Sequence, residues 1–203
     1  MTGERFAVSG IVLAGGRSSR FGSDKLVARV DGQRLIDRSA AALAGLVTEI
    51  VVVSEPGATR EPPRGTTVPS RVIADPEPFG GPLVGLLAGL ETAREPLVLV
   101  VGGDMPSLVP GVLRLLVGRL ATDTDRQAAI LESRGRGVPL PLACRTGAAT
   151  DAARRLLGEG ERRLRAIIER LPTVVLDERE WRPLDPMGDT LRDVDEPGDL
   201  SRP

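Results

Sequence analysis

The chain has 203 residues, 41% of them hydrophobic and 2% aromatic, enough apolar material for one α/β domain with an aliphatic core. Twenty-seven Lys and Arg against 28 Asp and Glu leave a net charge of -1, so no general field favours nucleic acid or an anionic membrane. With no His and one cysteine, Cys144, an intrachain disulfide, a Cys–His nucleophile, a Ser–His–Asp triad and any His-containing metal site are excluded.

Val8–Leu13 is a short apolar run ending in Ala14-Gly15-Gly16, a buried strand entering a tight loop. Lys25–Val30 predicts a short strand closed by a turn at Asp31-Gly32, and Leu35-Ile36 with Ala40–Leu46 carry helical periodicity. Glu49–Val53 is β-branched and apolar, as expected of a buried parallel strand. Residues 54–69 are rich in Pro, Gly, Thr and Arg and predict a surface loop, followed by a strand at Arg71–Ala74. Gly80-Gly81-Pro82 precedes a helical segment, Leu83–Leu90, with proline just inside its start. Leu97–Val101 is again a buried strand, ending at Gly102-Gly103-Asp104-Met105-Pro106.

Pro110–Ala121 predicts a helix, Ala128–Leu131 a strand, 134–137 a turn and Leu140–Ala143 a strand. Gly147–Leu157 and Arg162–Leu171 predict helices, Thr173–Leu176 and Leu191–Val194 short strands, and Pro197–Leu200 a final helical turn. Alternation of strand and helix argues for a mostly parallel sheet with helices on both faces in a single domain spanning 1–203. No signal sequence is read at the N-terminus, so a cytoplasmic location is expected, and no stretch approaches a membrane span.

In an open α/β sheet, ligands lie outside the carboxyl ends of the strands. Two such ends carry chemistry. The first is the segment 13–25, Leu-Ala-Gly-Gly-Arg-Ser-Ser-Arg-Phe-Gly-Ser-Asp-Lys. Paired glycines let backbone amides approach a polyphosphate, and Arg17, Arg20 and Lys25 add charge where its phosphates would lie. The segment is neither a Walker A loop nor a dinucleotide fingerprint. The second is Asp104, whose carboxylate after a buried strand suits a hard cation such as Mg²⁺ that also takes substrate phosphates. The competing reading makes Asp104 a cap for the next helix. Asp75 closes another strand on the same edge and is a weaker candidate.

These residues resemble the molybdenum cofactor guanylyltransferases, within the wider sugar-nucleotide-type nucleotidyltransferases. The loop resembles that family's Leu-Ala-Gly-Gly-x-Ser-x-Arg-Met-Gly-x-Asp-Lys, with Phe21 in the Met place. Gly81-Pro82-Leu83-Val84-Gly85-Leu86 resembles its Gly-Pro-Leu-x-Gly-Leu, Gly103-Asp104-Met105-Pro106 its Cys-Asp-Met-Pro, and Gly160-Glu161-Arg162-Arg163 its Gly-Glu-Arg-Arg. Asp193-Val194-Asp195-Glu196-Pro197 departs from the usual Asn-Val-Asn-Thr-Pro, towards cytidylyltransferases and phospholactate guanylyltransferases.

The resemblance implies a Rossmann-like fold that transfers GMP from GTP to the molybdopterin cofactor with Mg²⁺, releasing pyrophosphate. By it, Leu13, Ala14, Gly15 and Gly16 would hold the nucleotide and Lys25 its phosphates. Asp75 would lie at the nucleotide, Asp104 would carry Mg²⁺, and Ser54 would stand where the family often has Asn. Lys25 and Asp104 would be the catalytic pair. Cytidylyl transfer to the same acceptor, guanylyl transfer to another small phosphate, and a non-catalytic nucleotide-binding protein remain as alternatives.

Overall fold

A computed structural model describes residues 6–15, 28–30, 32–57, 61–77 and 80–194. The strands are β1 (Val8–Ala14), β2 (Arg29–Val30), β3 (Gln33–Arg34), β4 (Glu49–Ser54), β5 (Ser70–Ala74), β6 (Leu97–Gly102), β7 (Ala128–Ser133), β8 (Arg136–Arg145) and β9 (Thr173–Leu176). The helices are α1 (Leu35–Leu43), α2 (Pro82–Thr92), α3 (Pro110–Thr122), α4 (Thr146–Gly158), α5 (Arg165–Arg170) and α6 (Glu178–Trp181), with a 3-10 turn at Asp189–Leu191.

Seven strands form one sheet in the order β5-β4-β1-β6-β8-β7-β9, with only β8 antiparallel to its neighbours. The central strands β1, β4 and β6 are buried almost throughout, which is why they read as Val/Ile/Leu runs without alternation. Two aliphatic layers cover the sheet. One packs α1 and α3 against Val8, Val12, Ile50, Val52 and Leu99. The other packs α2, α4 and α5 against Ile11, Val51, Val53, Val98 and Val100. The expected doubly covered, mostly parallel sheet is therefore present.

Helix α2 approaches the sheet through glycines four residues apart, which share one helical face. A Cβ on Gly89 would stand 2.8 Å from Ile11 Cγ2 and 3.2 Å from Val53 Cγ2. The only tryptophan, Trp181, is fully buried, and its Nε1 donates to the Glu132 carbonyl at 3.0 Å, anchoring α6 on β7. Cys144 is fully buried and desolvation pushes its thiol up to about 12, so it is an inert packing residue.

Three expectations are corrected. Leu191–Val194 is not a strand. Its start is the 3-10 turn, and a ladder-like bond, Val194 N to the Asp104 carbonyl at 3.0 Å, ties its end to the chain just after β6. The predicted turn at 134–137 is tighter, because Arg136 and Gly137 already belong to β8. The helix expected from Arg162 begins only at Arg165, because 160–164 is held as a turn by Glu161. The turns at Asp31 and Pro197–Leu200 and the strand's first half at 25–27 lie outside the described residues.

Candidate functional site

Strand register puts the candidate residues in one transverse row. Leu13 pairs with Gly102, Ala14 with Ser54, and Ser54 with Ala74, so four parallel strands end at one level. Asp75 follows β5, Ser54 ends β4, Gly15 follows β1 and Asp104 follows β6. Backbone bonds tie the row together: Asp75 N donates to the Ser54 carbonyl at 2.7 Å, and Gly103 N to the Leu13 carbonyl at 2.9 Å. The chain leaves β1 towards β4 and β5, then returns through α2 to β6 on the opposite side of β1. Such a reversal opens a crevice at the carboxyl ends, here between β1 and β6. Leu13, Ala14 and Gly15 form its near lip, with Gly15 exposed. Gly16 and Lys25, with the rest of the 16–27 segment, lie outside the described residues.

Asp104 does not cap the next helix. Helix α3 starts at Pro110 with Val109 as its N-cap and no side-chain cap bond. The Asp104 carboxylate instead lies back over Gly102, where a Cβ would collide with Oδ1 and come within 3.2 Å of Met105 Cγ. Gly102 is thus required by the place the carboxylate occupies.

Asp75 shows the same device. Its Oδ2 sits against Gly85 of α2, 3.2 Å from where a Cβ would be, with Leu13 Cδ2 at 3.9 Å from the same point. Burial pushes the Asp75 carboxyl above its ordinary range; the Glu77 N–H, donating to Oδ1 at 3.1 Å, works against this, and the Glu77 charge adds to it. An acid held half-buried at a strand end against this tendency is a functional-site signature. Ser54 is buried and lies between Asp75 and Ala14 in the register.

The two remaining motifs meet at the start of α2. Gly160 turns at φ +84°, and Glu161 folds back to accept from the N–H groups of Arg162 and Arg163 at 2.8 and 2.9 Å. The Arg163 guanidinium, with those two N–H groups, takes the Glu161 carboxyl down to about 2. This turn aims the Arg162 carbonyl at α2, where it accepts from Leu83 N at 3.3 Å and lies 2.9 Å from the point a Gly81 Cβ would occupy. A protein carbonyl, rather than a phosphate, therefore occupies that helix start. The contact was invisible in the sequence, although the spacing of Gly81, Gly85 and Gly89 signalled a close approach on one face of α2.

The acidic C-terminal segment returns to the row. Buried Asp185 accepts from Asp189 N at 2.9 Å and Thr190 N at 2.8 Å, and Thr190 Oγ1 accepts from Val109 N at 3.1 Å. These bonds lay 192–194 beside β6, so that Asp193 and Val194 adjoin Asp104. Among the described residues no three acids converge as a ready-made metal cage. A carboxylate that completes its ion's sphere with substrate phosphates needs no such cage. No helix among the described residues is long and apolar enough to cross a membrane.

The sequence matches the MobA-like NTP transferase domain over residues 10–174. It is 33% identical over 196 residues to a probable molybdenum cofactor guanylyltransferase of Chloroflexus aggregans, covering 95% of this chain and 91% of the relative. It is 37% identical over 186 residues to a molybdenum cofactor guanylyltransferase of Burkholderia vietnamiensis, covering 87% and 88%. Among solved structures, the molybdopterin-guanine dinucleotide biosynthesis protein A of Archaeoglobus fulgidus superposes with a TM-score of 0.74 at 24% identity, covering 95% of this chain and 94% of that one. The 2-C-methyl-D-erythritol 4-phosphate cytidylyltransferase of Thermus thermophilus superposes with a TM-score of 0.70 at 20% identity, covering 96% of each. These two likenesses establish the fold.

Proposed function

The chain belongs to the MobA-like NTP transferase family, and from that premise we propose that it transfers GMP from GTP to the molybdopterin cofactor. The observation that carries the reading is the alignment of Asp75, Ser54, Gly15 and Asp104 along one crevice, in a chain 33–37% identical to named guanylyltransferases. The alternative of a non-catalytic nucleotide-binding protein is disfavoured by the retention of both acids at the strand ends, each packed against a glycine, in a chain 33–37% identical to named guanylyltransferases.

In this reaction an oxygen of the acceptor's phosphate forms a bond to the α-phosphorus of GTP. The bond from that phosphorus to the bridging oxygen breaks, and pyrophosphate leaves. A phosphate monoester is anionic near neutral pH, so no general base is needed. The protein's work is positioning and charge neutralisation. Leu13, Ala14, Gly15 and Gly16 would present backbone groups to the nucleotide, Lys25 would meet its phosphates, and Ser54 and Asp75 would border it. Asp104 would hold Mg²⁺, with Asp193, whose neighbour Val194 bonds the Asp104 carbonyl, as a second acid beside it. The ion would neutralise charge on the reacting phosphates. The oxygen-only donor set and the absence of His fit a hard cation. The working place would be the cytoplasm, where GTP is available, with neither membrane nor nucleic acid as partner.

The test is mass spectrometry of the product formed from molybdopterin cofactor, Mg²⁺ and equal GTP and CTP. A guanylyl adduct with pyrophosphate release is expected; a cytidylyl adduct would move the chain to the cytidylyltransferases. In parallel, Lys25→Ala is expected to weaken GTP binding while the fold persists, and unchanged affinity and turnover would remove Lys25 from the site.

A further inference from the structure

Strands β7 and β8 build a second wall on the crevice. Strand β8 pairs with β6 only from Leu142 to Arg145. Its first six residues, 136–141, run past that pairing on the edge where β6 ends. Strand β7 is antiparallel to β8, as β6 is, so its last residue, Ser133, lies on the same edge as Gly102. Between the pairs Ile130↔Leu142 and Leu131↔Val138, residues 139–141 leave the ladder as a bulge. A bulge of this kind bends a hairpin and re-aims what lies beyond it. Because Leu142 pairs with Val100, the bulge abuts Val101 and Gly102, next to Asp104. The hairpin beyond it, Leu131–Ser133 with Arg136–Val138, is an arm at the carboxyl edge on the β6 side of the crevice.

The arm is fixed from both sides. Arg165 Nη2 donates to the Gly137 carbonyl at 2.9 Å, Arg134 N donates to Glu178 Oε1 at 2.8 Å, and Trp181 Nε1 holds the Glu132 carbonyl. Gly137 has no room for a side chain, since a Cβ would stand 2.6 Å from Ile130 Cδ1. The tip carries Arg134 at φ +53°, a left-handed conformation that a non-glycine residue occupies at a cost. Asparagine or glycine would fit this turn better; here it presents a guanidinium instead. Arg134, Arg136 and Arg165 are all exposed, and among the described residues none has a carboxylate partner. Two acids of α6 beside the arm are otherwise engaged: Glu178 takes the Arg134 N–H and lies 3.7 Å from Arg182, and Glu180 lies 3.1 Å from Arg119.

We propose that the β7–β8 arm, through Arg134, Arg136 and Arg165, is the subsite for the acceptor, gripping an anionic part of it remote from the attacking phosphate. The inference rests on the transfer reaction proposed above. The ligand class is an elongated phosphomonoester that carries a second negatively charged group. Two exposed guanidiniums on a rigid arm, with that of Arg165 on α5 bonded to it, can engage such a group with fork-like hydrogen bonds. The arm stands across the crevice from the β1 lip and its nucleotide, so it bears on one substrate and not the other.

The experiment compares steady-state kinetics of the full-length protein and two variants, Arg134→Gly with Arg136→Gln, and Arg165→Gln. Glycine suits φ +53°, so the first variant keeps the fold. The expected result is a KM for molybdopterin cofactor raised about tenfold or more, with the KM for GTP unchanged and kcat within about twofold. The dependence of the acceptor KM on salt should flatten in the variants. Arg134→Lys with Arg136→Lys should recover part of the loss, because charge is kept while the fork geometry is not. An unchanged acceptor KM in an active enzyme overturns the subsite. An equal rise in the GTP KM overturns it too, and assigns the arm to the nucleotide. A wild-type protein that guanylylates no molybdopterin overturns the underlying reaction, which is a different failure.

Discussion

The two ends of the parallel strands hold carboxylates of opposite character. At the amino ends, Glu49 is buried and fully partnered. Ser9 Oγ donates to its Oε1 at 2.7 Å, Arg94 N donates to the same oxygen at 2.8 Å, and Arg71 pairs with Oε2. Burial opposes the Glu49 charge, but the Ser9 hydroxyl, the Arg94 N–H and the Arg71 and Arg94 guanidiniums together hold its carboxyl below the ordinary range. At the carboxyl ends, burial raises Asp75, whose one donor among the described residues is the Glu77 N–H two residues on. One acid ties β1, β4, β5 and the turn after α2 together. The other has a single backbone N–H donor among the described residues, the arrangement a ligand-binding acid would need. A carboxylate taken out of water thus marks a staple where donors converge and a candidate ligand site where few do.

The largest effect expected is catalytic. Asp104→Asn keeps the shape and should lower turnover on the order of 10²-fold while the melting temperature hardly moves. A variant with full turnover would show that the carboxyl edge is not the reacting edge and would break the contrast at its centre. Glu49→Ala should do the reverse. Removing one partner of a buried cluster costs about 2–3 kcal/mol here, since Arg71 is partly solvated and relaxes. The melting temperature should fall by about 5–10 °C, with turnover per folded molecule preserved. Loss of activity without loss of stability would erase the distinction between the two edges.

A smaller effect tests the fit around Asp104. Gly102→Ala puts a methyl where Oδ1 lies, so turnover should drop roughly tenfold, with only a slight loss of stability. Wild-type turnover in this variant would mean that the carboxylate works from another position.

The smallest effect is thermodynamic and sharpens the contrast. Glu49 has a depressed folded-state pKa, so its stabilisation is present above the unfolded value of about 4.5 and is lost as pH falls through the folded value. Asp75 has a raised one, so its contribution is fullest below the unfolded value of about 3.8 and falls away as pH rises through the folded value. At pH 7, Asp75→Asn should leave the melting temperature level or slightly higher while weakening GTP affinity, and Glu49→Gln should lower it. Denaturation scans across pH 3–7, with the two variants diverging as pH rises, check both signs. Shifts of the same sign would end the comparison.

Much of this molecule was legible in its residues. The aliphatic runs at β1, β4 and β6 specify buried parallel strands because only strands covered on both faces can be apolar throughout. The glycine-rich segment after Leu13 and the acid after Gly103 mark ligand-facing strand ends because their chemistry is local. Position along the sheet was not local. That Asp75 and Asp104 share one row depends on the pairing register of four strands separated by dozens of residues. Leu191–Val194 looked like a strand because apolar residues bound a short stretch, but Asp185 captures the preceding backbone in a 3-10 turn, and Val194 N bonds the Asp104 carbonyl outside any sheet ladder. The hairpin arm was read as a turn at 134–137 between strands at Ala128–Leu131 and Leu140–Ala143; Pro139 and Pro141, which cannot donate to a ladder, marked the bulge, but the run past β6 has no local signature. The sequence by itself determined which segments are buried and which strand ends are candidates for phosphate and metal chemistry, since side-chain type and short spacing decide those. Tertiary structure alone decided which acids meet, which one is a staple and which arm faces the crevice, because those follow from strand order and register, and contacts between distant segments leave no local pattern.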